Sequence, residues 1–82
     1  MDKIKAMQTF VRIVEANSFS KAAETLNLPR AALTATLQKL EAYLGTQLLQ
    51  RTTRRLSLTP DGAEYFSQCL AILGAVHGAY KH

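Results

Sequence analysis

Residues 18–45 read SFSKAAETLNLPRAALTATLQKLEAYLG, and this stretch contains two helical segments with a sharp break between them. Ser20 offers a hydroxyl that can cap the start of a short helix over residues 21–26. Asn27 can adopt the left-handed conformation that ends a helix. Pro29 pushes the residue before it out of the helical region. The stretch therefore predicts a short helix, a tight turn and a longer helix.

The longer helix is predicted to run from about Arg30 to Leu44, and Gly45 is predicted to cap its end. One narrow side of this helix is apolar, which is the pattern of a helix that buries a single face. The apolar positions are Leu33, Leu37, Leu40 and Leu44. The opposite side carries Ala31, Thr34, Ala35, Gln38, Lys39 and Ala42.

An amphipathic helix is predicted before this pair, from Asp2 to about Ala16, with Asn17 and Ser18 ending it. Its apolar residues recur at helical spacing on one side. They are Ile4, Met7, Phe10, Val11 and Val14.

The chain changes its rhythm after Gly45. Residues 48–51 and 55–58 are predicted to be two short strands, and the second alternates strictly between polar and apolar residues. Residues 52–54 link them. Thr59 is then predicted to be the N-cap of a further helix, with Pro60 at the favoured first position. That helix can continue towards the C-terminus.

The predicted order is three helices, a two-stranded β-hairpin and a long C-terminal helix, so the fold is mostly α. The second and third helices form a helix-turn-helix unit, and the hairpin after them is a wing. We expect a winged helix-turn-helix domain over residues 1–59 and a linker or dimerisation helix of the same unit over residues 60–82. A chain of 82 residues has room for one small domain.

The charges are unevenly placed along the chain. The formal net charge is +4, and no acidic residue occurs between Glu41 and Asp61. Arg51, Arg54 and Arg55 lie within this gap. A local positive potential of this kind attracts polyanions. The same composition also fits an edge hairpin that charge keeps soluble.

Other residue types exclude several classes of protein. Cys69 is the single cysteine, and its apolar helical context predicts a buried structural residue. The charged N-terminus does not fit a signal peptide, and no apolar run has the ~18 residues of a membrane span. We therefore expect a cytoplasmic protein. His77 and His82 have no second cysteine or carboxylate cluster beside them, and no Gly-rich phosphate loop occurs. Neither an enzyme nor a metal or cofactor site is expected.

The third helix has the features of a helix that docks in the major groove of DNA. Its free face is built of small residues, so the backbone can approach base edges closely. Gln38 can bond adenine bidentately, and the methyl groups of Thr34 and the alanines suit the thymine methyl. The unpaired N–H groups of the first turn can bind a phosphate. The same spacing also fits a solvated face that touches nothing.

Three segments resemble the N-terminal domain of LysR-type bacterial transcriptional regulators. They are residues 10–23 (FVRIVEANSFSKAA), 40–45 (LEAYLG) and 48–62 (LLQRTTRRLSLTPDG). The resemblance implies sequence-specific binding to double-stranded DNA, with the third helix in the major groove and the arginine wing at the minor groove. A winged helix that binds protein or RNA is the alternative, and binding to duplex DNA at low salt distinguishes the two.

The resemblance also implies roles for individual residues. Thr34 is expected to face DNA, Arg51 to contact a phosphate and Arg54 to enter the minor groove. The family commonly opens its third helix with Ser-Gln-Pro, whereas this chain has Pro29, Arg30 and Ala31, so the serine cap is lost and Arg30 is expected to contact phosphate or guanine. Ala35 stands in place of a frequent arginine, so base recognition should depend less on long side chains. The predicted DNA-binding residues are Arg30, Ala31, Thr34, Ala35, Gln38, Arg51, Thr53, Arg54 and Arg55.

The C-terminal helix has an apolar face that is wider than one small domain requires. This face either packs on the first helix or contacts a partner. The resemblance implies a homodimer through this helix, which predicts an inverted-repeat operator. It also implies an effector ligand bound by a larger domain that this chain lacks, so we expect a piece of a longer regulator. The predicted dimerisation residues are Tyr65, Phe66, Cys69, Leu70, Ile72, Leu73, Val76 and Tyr80.

Overall fold

The computed structural model describes residues 2–51 and 56–77, with the side chains of residues 2–50 and 56–74. In this part of the chain, the order of elements confirms the predicted winged helix-turn-helix. No described helix is long and apolar enough to cross a membrane. The elements are α1 (Lys3–Ala16), α2 (Phe19–Leu26), α3 (Arg30–Leu44), β1 (Leu49–Arg51), β2 (Leu56–Leu58) and α4 (Pro60–His77).

The start of α2 differs from the sequence prediction. Ser18, rather than Ser20, is the N-cap, and its hydroxyl accepts a hydrogen bond from the Lys21 backbone N–H at 3.1 Å. Starting the helix at Phe19 places that ring in the core together with Ala22 and Ala23. Burial of an aromatic ring therefore decides between two serines that are equally able to cap.

The ends of the helices follow the predicted turn chemistry. Asn27 ends α2 at φ 58° and Gly45 ends α3 at φ 73°, both in the left-handed region. Asn17 ends α1 in the same way, with φ 56°. This conformation is tolerated by asparagine, whose side chain has no β-branch, and by glycine, which has no side chain. The tight turn between α2 and α3 is thus fixed by local residues.

The hairpin is a two-stranded antiparallel sheet in which Leu49 pairs with Leu58 and Gln50 with Ser57. β1 begins one residue later than predicted, at Leu49, and the preceding Leu48 N–H bonds to the Glu41 side chain of α3. Thr59 follows β2 and caps α4 as predicted. Its hydroxyl accepts from the Gly62 N–H at 2.9 Å and donates to the Gln47 carbonyl at 2.6 Å.

The core lies around α1, which packs against α2, α3 and α4, and Phe10 of α1 is at its centre with no exposed surface. The Phe10 ring lies 5.8 Å from the ring of Tyr65 and 6.2 Å from that of Phe66, the second at 84°. Edge-to-face pairs of this kind add stability beyond the area that they bury. The rings therefore attach α4 to α1, against which α2 and α3 also pack. The other fully buried large side chains are Ile13, Leu33, Leu40, Leu48 and Cys69.

Gly62 allows α4 to pass directly over the start of the hairpin. A Cβ atom at this position would lie 1.9 Å from the backbone oxygen of Leu48. That oxygen is also fixed by the Thr59 backbone N–H, which donates to it at 3.0 Å. The contact is between two backbones, so no side chain can move aside to relieve it.

We predict that Gly62→Ala lowers the free energy of unfolding by about 2–3 kcal/mol, because the added methyl group forces the two backbones apart. Gly74→Ala is the matched control, since a Cβ there meets nothing within 4 Å. The control should raise stability by about 0.5–1 kcal/mol through its better helix propensity. Urea unfolding followed by circular dichroism measures both. Equal effects of the two substitutions would contradict the close approach at Gly62.

Candidate nucleic-acid interface

The outer face of α3 carries the five residues of this helix that the sequence predicts to contact DNA. Leu33 and Leu40 are fully buried and Leu37 nearly so, which turns the opposite face outward. That outward face has only one long uncharged side chain, Gln38. The exposed positions are Arg30, Ala31, Ala35 and Gln38, with Thr34 half-buried beside them.

Thr34 is held against its own helix. Its hydroxyl donates to the Arg30 carbonyl at 3.2 Å. The oxygen can still accept a hydrogen bond from a ligand, and the methyl group is fixed in orientation. A base edge would meet an acceptor and a methyl group at this position.

The first turn of α3 lacks a side-chain cap, unlike those of α1 and α2. Pro29 occupies the N-cap position and makes no side-chain hydrogen bond, whereas Asp2 and Ser18 cap the two other helices. The Ala32 N–H bonds to the Pro29 carbonyl at 3.0 Å, but within the described residues the N–H groups of Arg30 and Ala31 have no partner. Unpaired N–H groups at the positive end of a helix dipole favour an anion.

Glu41 connects α3 to the hairpin. Its Oε2 atom accepts hydrogen bonds from the backbone N–H groups of Leu48 at 2.8 Å and Leu49 at 3.3 Å. The hairpin is thereby fixed relative to the exposed face of α3. Sequence reasoning missed this role, because the partners are seven and eight residues away and are backbone groups. The spacing of side chains carries no signal for such a bond.

Asp61, which bounds the acid-free stretch on its other side, has a comparable role. Its Oδ2 atom accepts from the Thr46 hydroxyl at 2.6 Å. The bond ties the end of α3 to the first turn of α4. Both carboxylates that flank the basic stretch therefore have structural hydrogen bonds.

The tip of the wing lies outside the described residues, and with it the predicted contacts at Thr53, Arg54 and Arg55. The strand that leads to the tip includes Arg51, but the Arg51 side chain also lies outside the described part. The roles of these four residues in DNA binding stay predictions.

A comparison with models of protein families identifies the kind of domain. The model of bacterial regulatory helix-turn-helix proteins of the lysR family matches residues 4–63, which is most of the chain. The chain belongs to the LysR family. It is the DNA-binding helix-turn-helix domain of a transcriptional regulator. The LysR regulators are a family without enzymatic activity.

Curated relatives of this LysR-family domain are much longer proteins. An HTH-type transcriptional repressor of Pseudomonas aeruginosa is 52% identical over 73 residues, which cover 89% of this chain and 23% of the relative. The regulator CrgA of Neisseria meningitidis is 48% identical over 67 residues, covering 82% of this chain and 22% of the relative. The chain thus spans about a quarter of the length of these relatives.

Solved structures of LysR-family DNA-binding domains have the same fold. The BenM domain in complex with catB site 1 DNA superposes with a TM-score of 0.88 at 35% identity, covering 94% of this chain and 85% of that one. The CbnR domain in complex with DNA superposes with a TM-score of 0.87 at 29% identity, covering 96% of this chain and 90% of that one. Both relatives were solved bound to DNA.

The structure corrects how α4 of this LysR-family domain uses its apolar residues. Cys69 has no exposed surface and Leu73 is 8% exposed, so both belong to the core of their own chain and not to a free surface. Tyr65 and Phe66 are half-buried against Phe10. Leu70 and Ile72, at 39% and 42%, are exposed. Of the other predicted dimerisation residues, Tyr80 and the side chain of Val76 lie outside the described part.

Cys69 is a buried structural residue, as its sequence context predicts. Burial raises the pKa of its thiol from the ordinary 9.0 to about 11, and a hydrogen bond with Tyr65 acts in the opposite direction. Burial also raises the pKa of Tyr65, and the neighbouring Cys69 adds to that shift. Both groups therefore stay protonated to a higher pH in the folded domain than in the unfolded chain.

We predict that the domain loses stability as the pH rises from about 9 towards 11. The unfolded chain releases the Cys69 proton near pH 9, whereas the folded chain retains it to about pH 11, so alkaline pH favours unfolding. Tyr65 acts in the same direction. Urea unfolding of wild type and Cys69→Ala over this pH range tests the effect. The free energy of unfolding of Cys69→Ala should decline less steeply with pH than that of wild type. The remaining decline should be absent in the double variant Cys69→Ala/Tyr65→Phe. Parallel curves for all three proteins would contradict the prediction.

Proposed function

We propose that this LysR-family domain binds a specific sequence of double-stranded DNA, with α3 in the major groove and the wing at the adjacent minor groove. The observation that carries the proposal is the outer face of α3, which is exposed, small and uncapped at its N-terminal end. The DNA complexes of BenM and CbnR, which have the same fold, support it.

In this proposal, bases are recognised by few side chains. Gln38 is exposed and can bond both edge groups of adenine, and Thr34 offers an acceptor and a methyl group. Ala31 and Ala35 have short side chains, so the helix backbone can lie close to the bases. Arg30 stands at the exposed start of the helix, where its charge adds to the unpaired N–H groups in holding a phosphate.

The wing supplies further positive charge in this proposal. Arg54 enters the narrow minor groove, where the potential is most negative, and Arg51 contacts the backbone. Thr53 and Arg55 assist at the same tip. The bonds from Leu48 and Leu49 to Glu41 fix the hairpin relative to α3, so the two grooves are contacted at one set spacing.

The domain is further proposed to act as a homodimer on an inverted repeat. Leu70 and Ile72 leave apolar surface exposed on the flanks of α4, and a two-fold dimer uses the same surface on both chains. Two copies of α3 related in this way read two half-sites that are near one helical turn, or a multiple of it, apart. The remaining length of the relatives is where an effector-binding domain would lie.

We predict that Gln38→Ala relaxes the preference at one base-pair position, with a loss of about 1–3 kcal/mol at that position. Arg54→Ala should instead weaken binding most at A·T-rich flanks, because the minor groove is narrowest there. Selection of bound duplexes from a random pool, followed by titration, measures both profiles. Lys5→Ala, an exposed residue of α1, is the control for a lost side chain. Wild-type profiles in both variants would overturn the assignment of α3 and the wing.

We predict that the double variant Leu70→Glu/Ile72→Glu keeps the fold but yields monomers, since both side chains are exposed and a charge in a dimer interface would be desolvated. Leu73→Glu is the contrast, because Leu73 lies in the core and its replacement should unfold the domain. Sedimentation at tens of micromolar gives the oligomeric state. A monomeric wild type that binds one half-site as tightly as the full repeat would rule out the dimer.

A further inference from the structure

A cleft separates α3 from the start of the hairpin. Thr34, Gln38 and Glu41 line it on the side of α3, and Gln47 and Leu49 line it on the other side. If α3 lies in the major groove and the wing in the adjacent minor groove, the DNA strand between the two grooves has to pass between these elements. The inference rests on that proposed function. This path of the strand places its sugar-phosphate backbone along the cleft.

Gln47 is held rigidly at the edge of this cleft. The Thr59 hydroxyl donates to the Gln47 carbonyl at 2.6 Å, and the two following N–H groups bond to Glu41. The Gln47 side chain itself is exposed, and within the described residues its amide makes no hydrogen bond. Because the backbone is already fixed, binding has to order only the Gln47 side chain.

The charge of Glu41 decides which kind of contact fits. A carboxylate in a phosphate-binding cleft repels DNA unless its charge is compensated, and here its Oε2 atom accepts two backbone N–H groups. Glu41 is also half-buried, so only part of its side chain is exposed at the cleft. With the carboxylate compensated in this way, a neutral donor beside it can approach a phosphate in the cleft.

We propose that Gln47 binds a DNA phosphate through its side-chain amide N–H, with Glu41 and Thr59 as the residues that position it. The contact is independent of base identity, since phosphate carries no sequence information. It is also uncharged, so it displaces few counterions. These two properties give a signature that differs from that of a base contact and from that of an arginine.

Gln47→Ala and Gln47→Lys test the proposal, with Gln8→Ala and Gln8→Lys as controls. Gln8 is an exposed glutamine on α1 that lines a different groove, between α1 and α4. Titrations use a duplex with one selected half-site and a duplex of unrelated sequence, each at several salt concentrations. A single half-site keeps any change in dimerisation out of the result. Circular dichroism checks the fold of every variant.

Gln47→Ala should weaken binding to both duplexes by about tenfold, near the lower end for a hydrogen bond to a charged group, with the salt slope unchanged. Gln47→Lys should steepen the slope of log K against log salt by about one, because a lysine on a phosphate releases a counterion. The Gln8 variants should change neither property as much.

Wild-type affinity in Gln47→Ala, or a loss confined to one base pair, would overturn the proposal, and so would a Gln47→Lys slope equal to that of Gln8→Lys. Any of these results, obtained while Gln38→Ala still alters base preference, leaves the proposed function intact. A wild-type domain that shows no salt-dependent binding to either duplex removes the proposed function and this inference together.

Discussion

The hydroxyl of Thr59 is the junction on which the geometry of the domain depends. It donates to the carbonyl that precedes β1 and accepts from the first turn of α4, so a single side chain joins the hairpin to the C-terminal helix. Gly62 lets the two backbones touch at this junction, and Glu41 attaches the same segment to α3. Together these contacts fix the described strands of the hairpin relative to α3 and α4.

Local turn chemistry was predictable from the sequence, because the residues that determine it are adjacent. Asn27, Gly45 and Thr59 end or begin their helices as their residue types indicate, and the bounds of α3 agree with the spacing of its leucines. The family resemblance of the whole chain was also detectable from its segments. The shared family accounts for the agreement between the predicted fold and the solved relatives.

Depth of burial was not predictable in the same way. A helical wheel shows which residues share a side but not which neighbour covers them. The sequence therefore predicts Leu73, Cys69 and Leu70 alike to be dimerisation residues, although the core of their own chain covers the first two. The cap at Ser18 depended on the burial of Phe19, and the bond at Glu41 on a turn that brings distant backbone groups to a carboxylate. Each of these outcomes is set by tertiary contacts.

The alanines on the outer face of α3 have a consequence for how such a domain changes over evolutionary time. Ala31, Ala35 and Ala42 are exposed and lie opposite the leucines that hold the helix in place. A longer side chain at any of them extends into solvent and displaces nothing in the core, so it costs little stability. After duplication of the gene, one copy could therefore acquire a new binding preference by single substitutions while both copies continue to fold.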